Sequence, residues 1–445
     1  MKECEKEDYA GVAGFEKRAV VLLCNRFGSF RPFFAVVLSV LALVQVCSGF
    51  SLLTHEQIVD ILWEDQLQPM LLARFPNATA EDLRKAHAHA YGGSLIHDMG
   101  YYPPGNKFFT DLTHYVRSGD FVANLIRESS NRNEYAFALG ALAHYASDNV
   151  GHPTINRAVA LSFPKLRAKY GDEVTFADDP KAHIRTEFGF DMVQVAKNRY
   201  TSDRYHDFMG FDVSKPVLER AFERTYGLKL EEVVTQPKLA IGTFRRAVSQ
   251  VLPEMTRVAL ATRRAEIVKD APNFNEKEFL YHLSRSEYEK EWGKEYQKPG
   301  LIARIIALFI RWVPKWGPSK ALAFKIPTTQ TEDMYIQSVN RTVEAYRSLL
   351  REVGSGHVEL PNSDCDTGRE PRPGEYELTD KAYAKLLDKH ARRGFKEMPP
   401  NLRENILAFY GHSGEPSKKN QKAWRKTQSQ LAALKASKLT AQSER

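Results

Sequence analysis

The chain has 445 residues, of which 43% are hydrophobic and 27% are charged, and its formal net charge is +8 at pH 7. This length excludes a single ordinary domain, since one hydrophobic core tends to stop growing beyond about 250 to 300 residues. The composition is typical of a globular protein. The charge excess is modest over this length, so it is compatible with anionic lipid or with nucleic acid and establishes neither partner.

An apolar run at residues 33–46 has the layout of a secretory signal. Arg26 and Arg31 precede the run, and the small residues Ser48 and Gly49 follow it. The run is too short to span a bilayer comfortably, and small residues after an apolar stretch mark a cleavage region. We therefore expect export to the periplasm or the exterior, with cleavage near Gly49. The alternative is an uncleaved segment that anchors the protein in a membrane.

The cysteines give weak support to this interpretation. Cys4, Cys24 and Cys47 would all leave with the presequence, so that the mature chain would keep Cys365 alone. A single cysteine cannot form an internal disulfide. Metal would then have to supply any cross-linking that the fold needs.

The hydrophobic pattern after the presequence is helical. From His55 to about residue 250, apolar residues recur at spacings of three and four, as in Phe121, Leu125 and Ile126. Strand-like alternation is scarce, which predicts an all-α fold. We expect a presequence at 1–49, a first helical domain at 50–210, a helical extension packed on or continuing it at 211–353, and a Pro/Gly-rich linker with a basic low-complexity tail at 354–445.

Two segments repeat a four-residue spacing of metal-ligating side chains. His144, Asp148 and His152 are spaced four and four, and His183 and Glu187 are spaced by four. Residues four apart lie on one face of a helix, so each set points into one shared cavity. An imidazole and a carboxylate on adjacent helical turns suit one zinc ion.

Further candidates lie upstream at His55, Asp98 and His114. Each is weak alone, because a single histidine on an apolar helix face is more often a core residue than a ligand. His87 and His89 illustrate that case, since residues two apart cannot share a helix face. The joint occurrence of the two helical series and these upstream residues matches what a trinuclear metal site needs.

The order of these residues resembles the zinc-dependent phospholipase C family. That family includes the catalytic region of glycosylphosphatidylinositol-specific phospholipase D and is related to the single-strand-specific zinc nucleases. The resemblance covers roughly residues 50 to 210, which would then be the catalytic domain. It implies a multi-helix bundle with about three zinc ions, and hydrolysis of a phosphodiester bond by a metal-activated water.

The resemblance also implies a role for each candidate residue. One zinc would be bound by Asp98, His114, His144 and Asp148, a second by His152, His183 and Glu187, and a third by Phe50, His55 and Asp148. Asp148 would bridge two ions, and Asp98 would also accept a proton from the attacking water. These two residues are therefore the expected catalytic residues.

Phe50 enters this set as the mature amino terminus, because the family uses the free amine and the first carbonyl as ligands. The usual first residue of the family is Trp, but the ligating atoms belong to the backbone, so we expect Phe50 to serve. A second departure is the three-residue gap between Asp148 and His152. It is shorter than in several bacterial lipases of the family and in the nucleases, and is similar to the glycosylphosphatidylinositol enzyme.

The substrate is the least determined feature, because lipases and nucleases of this kind share metals and ligands. Residues 301–316 combine large apolar residues with cationic ones and with Trp312 and Trp316, which is the composition of a helix at a lipid interface. An ordinary buried helix is the alternative for that stretch. We therefore expect a phospholipid or membrane surface as substrate.

Two other functions remain open from the sequence. A single-strand nuclease or other phosphoesterase would use exposed aromatic rings to stack bases, and Tyr101, Tyr102, Phe108 and Phe109 are candidates for such rings, for an acyl pocket or for plain packing. A non-catalytic zinc-stabilised binding protein would keep the metal and turn over neither substrate. Nucleic acid is thus a second, less favoured partner.

Overall fold

The structure is a computed structural model, and it describes residues 52–196, 212–246, 325–411 and 421–437. All of these residues belong to one compact unit, formed by Val46–Lys298 and Ala321–Arg445. The secondary structure in these ranges is helical, apart from an isolated β-bridge between Asp364 and Arg369. The predicted all-α class is confirmed. In these same ranges, no helix combines the length and the hydropathy needed to cross a bilayer.

The helices of the described ranges are numbered here in chain order. They are α1 (Leu52–Leu62), α2 (Gln68–Arg74), α3 (Ala80–Leu95), α4 (Lys107–Tyr115), α5 (Ser118–Arg127), α6 (Arg132–Ser162), α7 (Pro164–Tyr170), α8 (Pro180–Ala196), α9 (Lys215–Tyr226), α10 (Leu230–Val233), α11 (Pro237–Arg246), α12 (Thr329–Gly354), α13 (Glu377–Ala391), α14 (Pro400–Gly411) and α15 (Gln421–Ala436). A π-helical turn, Trp63–Leu67, follows α1, and a 3₁₀ helix, Ile96–Tyr101, follows α3. The predicted secretory signal, Phe50 and the stretch 301–316 lie outside the described residues.

Helix α6 is the central element of this unit. It has 31 residues, most of them buried, and packs most extensively against α3 and α12. The helix begins after Asn131, whose side-chain oxygen accepts a hydrogen bond from the backbone N–H of Glu134. Such a cap satisfies one of the free N–H groups of the first turn. A hydrogen bond also joins α6 to α12, in which the Tyr346 hydroxyl donates to the carbonyl of Leu139.

Helices α3 and α6 approach each other at backbone distance. A Cβ atom added to Gly140 would lie 1.9 Å from the carbonyl oxygen of Ala90, and one added to Gly93 would lie 1.9 Å from that of Phe137. Both positions therefore require glycine. The close approach brings the end of α3 beside the middle of α6, where the first metal-ligand series lies.

A proline inside α6 creates a docking point for the carboxy-terminal part of the chain. Pro153 has no N–H group, so the carbonyl of Asn149 loses its helical partner. Gly368 lies against this carbonyl: its φ angle is 67°, and an added Cβ would be 2.4 Å from the Asn149 oxygen. The loop at residues 364–369 thus packs on α6 one turn from the predicted ligands.

The carboxy-terminal part of the chain holds more regular structure than the expected linker and tail. Helices α13, α14 and α15 lie within 354–445, and α13 packs against α4 and α15. Within 211–353, α9 packs on α5 and α12 packs on α6. The domain boundaries themselves stay predictions.

Candidate metal centre

Five helical segments bring the predicted ligands to the middle of the unit. His55 lies near the start of α1, Asp98 in the 3₁₀ helix, His114 at the end of α4, the series His144, Asp148 and His152 in α6, and the pair His183 and Glu187 in α8. All eight side chains are buried. Phe50 lies outside the described residues, and its place in the centre stays a prediction.

Asp148 is the carboxylate around which the histidines gather. Its Oδ2 atom lies 3.0 Å from Nε2 of His144 and 3.3 Å from Nε2 of His114. Its Oδ1 atom lies 3.5 Å from Nε2 of His55 and also 3.5 Å from Nε2 of His152. The two oxygens thus face two different pairs of imidazoles, which is the arrangement that a carboxylate bridging two metal ions requires.

The ligand atoms are close enough for cation binding. One ligand atom each from His55, Asp98 and His144 lie within 4.8 Å of one another, and so do those of His114, His144 and Asp148. Nε2 of His114 also lies 3.6 Å from Oδ1 of Asp98. The four residues expected to bind the first zinc are therefore together.

Backbone carbonyls orient two of these imidazoles. Nδ1 of His144 lies 2.8 Å from the carbonyl oxygen of Ser94, and Nδ1 of His114 lies 2.9 Å from that of Thr110. A carbonyl can only accept a hydrogen bond, so Nδ1 carries the proton in both rings. The lone pair of Nε2 is therefore available to bind a metal ion, and in both rings Nε2 faces Asp148.

The second predicted group forms around α8. Nδ1 of His183 lies 2.7 Å from Oε1 of Glu187, one turn along the same helix. The rings of His183 and His152 have centroids 5.7 Å apart. The three residues expected to bind the second zinc are thus neighbours, on the side of Asp148 that carries Oδ1.

The buried polar atoms of the centre suit a cation. Within the described residues, Oδ1 of Asp98 and both carboxylate oxygens of Asp148 accept no hydrogen bond. Burying a carboxylate without such partners is costly unless a positive charge compensates for them. A metal ion held by these oxygens and by the Nε2 atoms would supply that compensation, so the residues present fit zinc.

Burial and the neighbouring imidazoles shift the pKa values of Asp98 and Asp148 in opposite directions. Burial raises the pKa of Asp98 to about 7, although the imidazoles of His144 and His114 partly offset this effect. Burial acts in the same direction on Asp148, but the adjacent imidazoles of His144 and His152 outweigh it and hold its pKa well below the usual value. Asp148 is therefore ionised, which is the form that binds metal.

His97 is an additional histidine at the centre. It is buried, its ring stacks parallel on that of His144 with centroids 4.2 Å apart, and it meets the ring of His114 edge-on. His87, by contrast, bonds Asp60 at 2.8 Å, away from the centre.

Two residues that the sequence reasoning missed contact the histidines of the second group. Oδ1 of Asp366 lies 3.0 Å from Nδ1 of His152, and Oδ1 of Asn156 lies 2.7 Å from Nε2 of His183. Asn156 continues the four-residue spacing after His152, which is a signal that was available. Asp366 has no such signal, because it comes from a loop far along the chain.

In this helical fold, the buried cluster of imidazole and carboxylate donors suits zinc binding. Residues 54–233 match the sequence model of the family described as zinc-dependent phospholipase C. The resemblance drawn from the ligand order is confirmed over this segment, which contains every predicted ligand except Phe50 and continues past the predicted boundary at residue 210. The match supports a phospholipase C-like hydrolase function. Comparisons with curated proteins and with solved structures found no match.

Proposed function

We propose that this protein is an exported zinc-dependent phosphodiesterase that hydrolyses phospholipid as a phospholipase C does. The observation that carries the proposal is the shared carboxylate of Asp148, with a pair of imidazole nitrogens 3.0 to 3.5 Å from each of its oxygens. This geometry occurs inside the segment that matches the family. A purely structural zinc site would need one closed set of four ligands rather than a shared one.

The side chains of the centre have separate tasks in this proposal. About three bound zinc ions would activate water and stabilise charge on the phosphoryl oxygens. Asp148 holds the imidazoles of the two groups around one carboxylate, and Asp98 lies beside His114 in a position to accept a proton from the attacking water. No side-chain nucleophile is needed.

The aromatic residues near Asp98 favour phospholipid over single-stranded nucleic acid. Tyr102, Phe108 and Phe109 are fully packed in the core, and of the four candidate rings Tyr101 alone is partly exposed. Stacking of successive bases requires several exposed rings along a strand. The packed rings argue against a nuclease groove at this point, and the interfacial composition of 301–316 also favours lipid.

The export proposal and the metal proposal support each other. Cleavage after Gly49 would make Phe50 the amino terminus, two residues before α1 begins, and His55 of α1 is already at the centre. The amine of Phe50 would then complete the third ligand set. Amino-terminal sequencing of the mature protein checks this step, and a chain that retains residues 1–49 would contradict it.

The test of the proposed function combines zinc content with two substrates. We would measure zinc by elemental analysis, and hydrolysis of phosphatidylcholine vesicles and of single-stranded DNA, for the wild type and for Asp148→Asn. About three zincs and cleavage of the lipid are expected. The variant should lose zinc, and its hydrolysis should fall by more than the roughly 10- to 100-fold that removal of an outer partner of a ligand costs.

Asp172→Asn is the matched control, because Asp172 is an exposed carboxylate that pairs with Arg167 and should leave zinc and hydrolysis unchanged. A wild-type protein without zinc would overturn the proposal. Cleavage of DNA but not of lipid would indicate a nuclease, and zinc without turnover of either substrate would indicate a binding protein.

A further inference from the structure

We propose that Asp366 and Asn156 are positioning residues that fix the orientation and the proton position of His152 and His183. In this way a loop from the carboxy-terminal part of the chain, residues 364–369, completes the metal centre from outside the family-matched segment. The inference rests on the proposed function, because it takes these two histidines to be zinc ligands. It assigns His152 to zinc through Nε2 and His183 to zinc through Nδ1.

The contacts of Asp366 show that it acts on His152 and is not itself a ligand. Its Oδ1 atom lies 3.0 Å from Nδ1 of His152. Its Oδ2 atom accepts hydrogen bonds from the hydroxyls of Tyr115, at 2.7 Å, and of Tyr376. Both oxygens are thus engaged by protein groups. Because a carboxylate can only accept, this contact favours the form of His152 with its proton on Nδ1, which leaves Nε2 facing Asp148 at 3.5 Å.

Asn156 performs the corresponding task for His183. Its Nδ2 atom donates to the backbone carbonyl of Asp366 at 2.9 Å, so the other end of the amide, Oδ1, is the atom that lies 2.7 Å from Nε2 of His183. An amide oxygen accepts, so Nε2 of His183 carries the proton. The remaining nitrogen, Nδ1, lies 2.7 Å from Oε1 of Glu187. The two histidines therefore have opposite proton positions.

The loop that carries Asp366 is held in shape by its own hydrogen bonds. Oδ1 of Asp364 accepts from the backbone N–H groups of Asp366, at 3.0 Å, and of Thr367, at 3.1 Å. The N–H of Cys365 donates to the carbonyl of His114 at 3.1 Å, and the Gly368 backbone packs on α6. A partner held this firmly fixes the ring of a ligating histidine and raises its basicity.

The experiment compares two carboxylate-to-amide changes in the same loop. Asp366→Asn removes the negative charge beside Nδ1 of His152 and leaves one acceptor oxygen in place of the two that now face His152, Tyr115 and Tyr376. Asp364→Asn is the matched control, since its amide oxygen still accepts from both backbone N–H groups. The full-length protein would be titrated with zinc against a chromophoric chelator, and long-range proton–nitrogen NMR spectra would identify the zinc-bound nitrogen of each histidine.

We expect Asp366→Asn to lower the affinity for one of the zinc ions by about 10- to 100-fold and to leave the affinity for the others unchanged. Asn156→Ala should weaken that same zinc, whereas Asp364→Asn should bind zinc as the wild type does. The NMR spectra of the wild type should show Nε2 of His152 and Nδ1 of His183 bound to zinc. Both loop variants should still unfold cooperatively in EDTA, which separates positioning from folding.

Equal zinc affinity in Asp366→Asn and Asp364→Asn would overturn this inference, and so would zinc bound to Nδ1 of His152. Both results leave wild-type zinc content and lipid hydrolysis intact. Failure of the proposed function would instead appear in the wild type itself, as a protein without zinc.

Discussion

Asp364 and Asp366 are two buried carboxyl groups whose surroundings shift their pKa values in opposite directions. Burial raises the pKa of Asp364 to about 7, and the nearby charge of Asp366 adds to this effect. Burial acts the same way on Asp366, but contact with His152 outweighs it and lowers the pKa to about 2. Two residues apart in the chain, one group is poised to hold a proton near neutral pH and the other is ionised.

The raised pKa of Asp364 predicts a pH dependence of stability. A carboxyl group whose pKa is higher in the folded than in the unfolded protein stabilises the fold fully below about pH 4, and this contribution is lost as pH rises through about 7. Asp364→Asn, which cannot ionise, should therefore lose less stability than the wild type between about pH 5 and pH 8. Urea unfolding of both proteins at fixed excess zinc measures the difference. Parallel pH profiles would contradict this prediction.

Among single residues, the sequence predicted the candidate metal ligands better than it predicted the groups that orient them. His144 and Asp148 were identifiable because four-residue spacing on one helix fixes their relative placement. The carbonyls of Ser94 and Thr110, which orient His144 and His114, belong to the backbone and carry no side-chain signature. Residue type predicts what can bind a metal, but packing decides which nitrogen faces it.

Among the helices, the close packing of α3 on α6 is the contact that positions the centre. Small residues in α6 were visible in the sequence, but the matching glycine of α3 could be recognised only once the two helices were seen to cross. Gly93 and Gly140 let the two backbones touch, and the same contact places Ser94 next to His144.

Gly140→Ala should therefore separate the two helices. The added methyl group would meet the Ala90 carbonyl, and overpacking of this kind lowers the free energy of unfolding by about 3 kcal/mol. Zinc affinity should fall with it, because Ser94 would move away from His144. Chemical unfolding and zinc titration measure both effects.

Gly242→Ala, in α11, provides the control for that change. Among the described residues, and apart from its chain neighbours and its own helix backbone, no atom lies within 4 Å of the position that its Cβ would occupy. Alanine is the better helix former, so this substitution should raise the free energy of unfolding by about 0.5 to 1 kcal/mol and leave zinc binding unchanged. A Gly140→Ala protein as stable as the wild type would show that α3 and α6 are not in backbone contact.

For the whole molecule, the metal centre joins helices that are distant along the chain. The predicted ligands come from α1, the 3₁₀ helix, α4, α6 and α8, so bound zinc would stabilise their common arrangement. At zinc concentrations of about 1,000 times the Kd, binding adds roughly 4 kcal/mol. Removal of zinc with EDTA should then lower the Tm by on the order of 10 °C, and added zinc, but not magnesium, should restore it. A Tm that EDTA leaves unchanged would contradict a centre built across these helices.

How much of the molecule the sequence predicts depends on separation along the chain. The helical class and the two ligand series were predicted from patterns that repeat within one or two turns, and the family was predicted from the order of the ligands along the chain. Asp366 was missed because it lies 251 residues from Tyr115, one of its hydrogen-bond partners, and 210 residues from Asn156. No local spacing relates such residues, and the Pro/Gly-rich sequence around Asp366 suggested a linker.

The docking of the loop at Pro153 has a consequence for biosynthesis. Contacts between residues so far apart must await synthesis of both, and long-range contacts form slowly because the chain between them has to close. All the predicted ligands emerge from the ribosome well before Asp366, so a nascent chain would hold histidines whose rings are not yet fixed. In the proposed arrangement, the centre reaches its full zinc affinity only after residues 364–369 have been synthesised and have packed on α6.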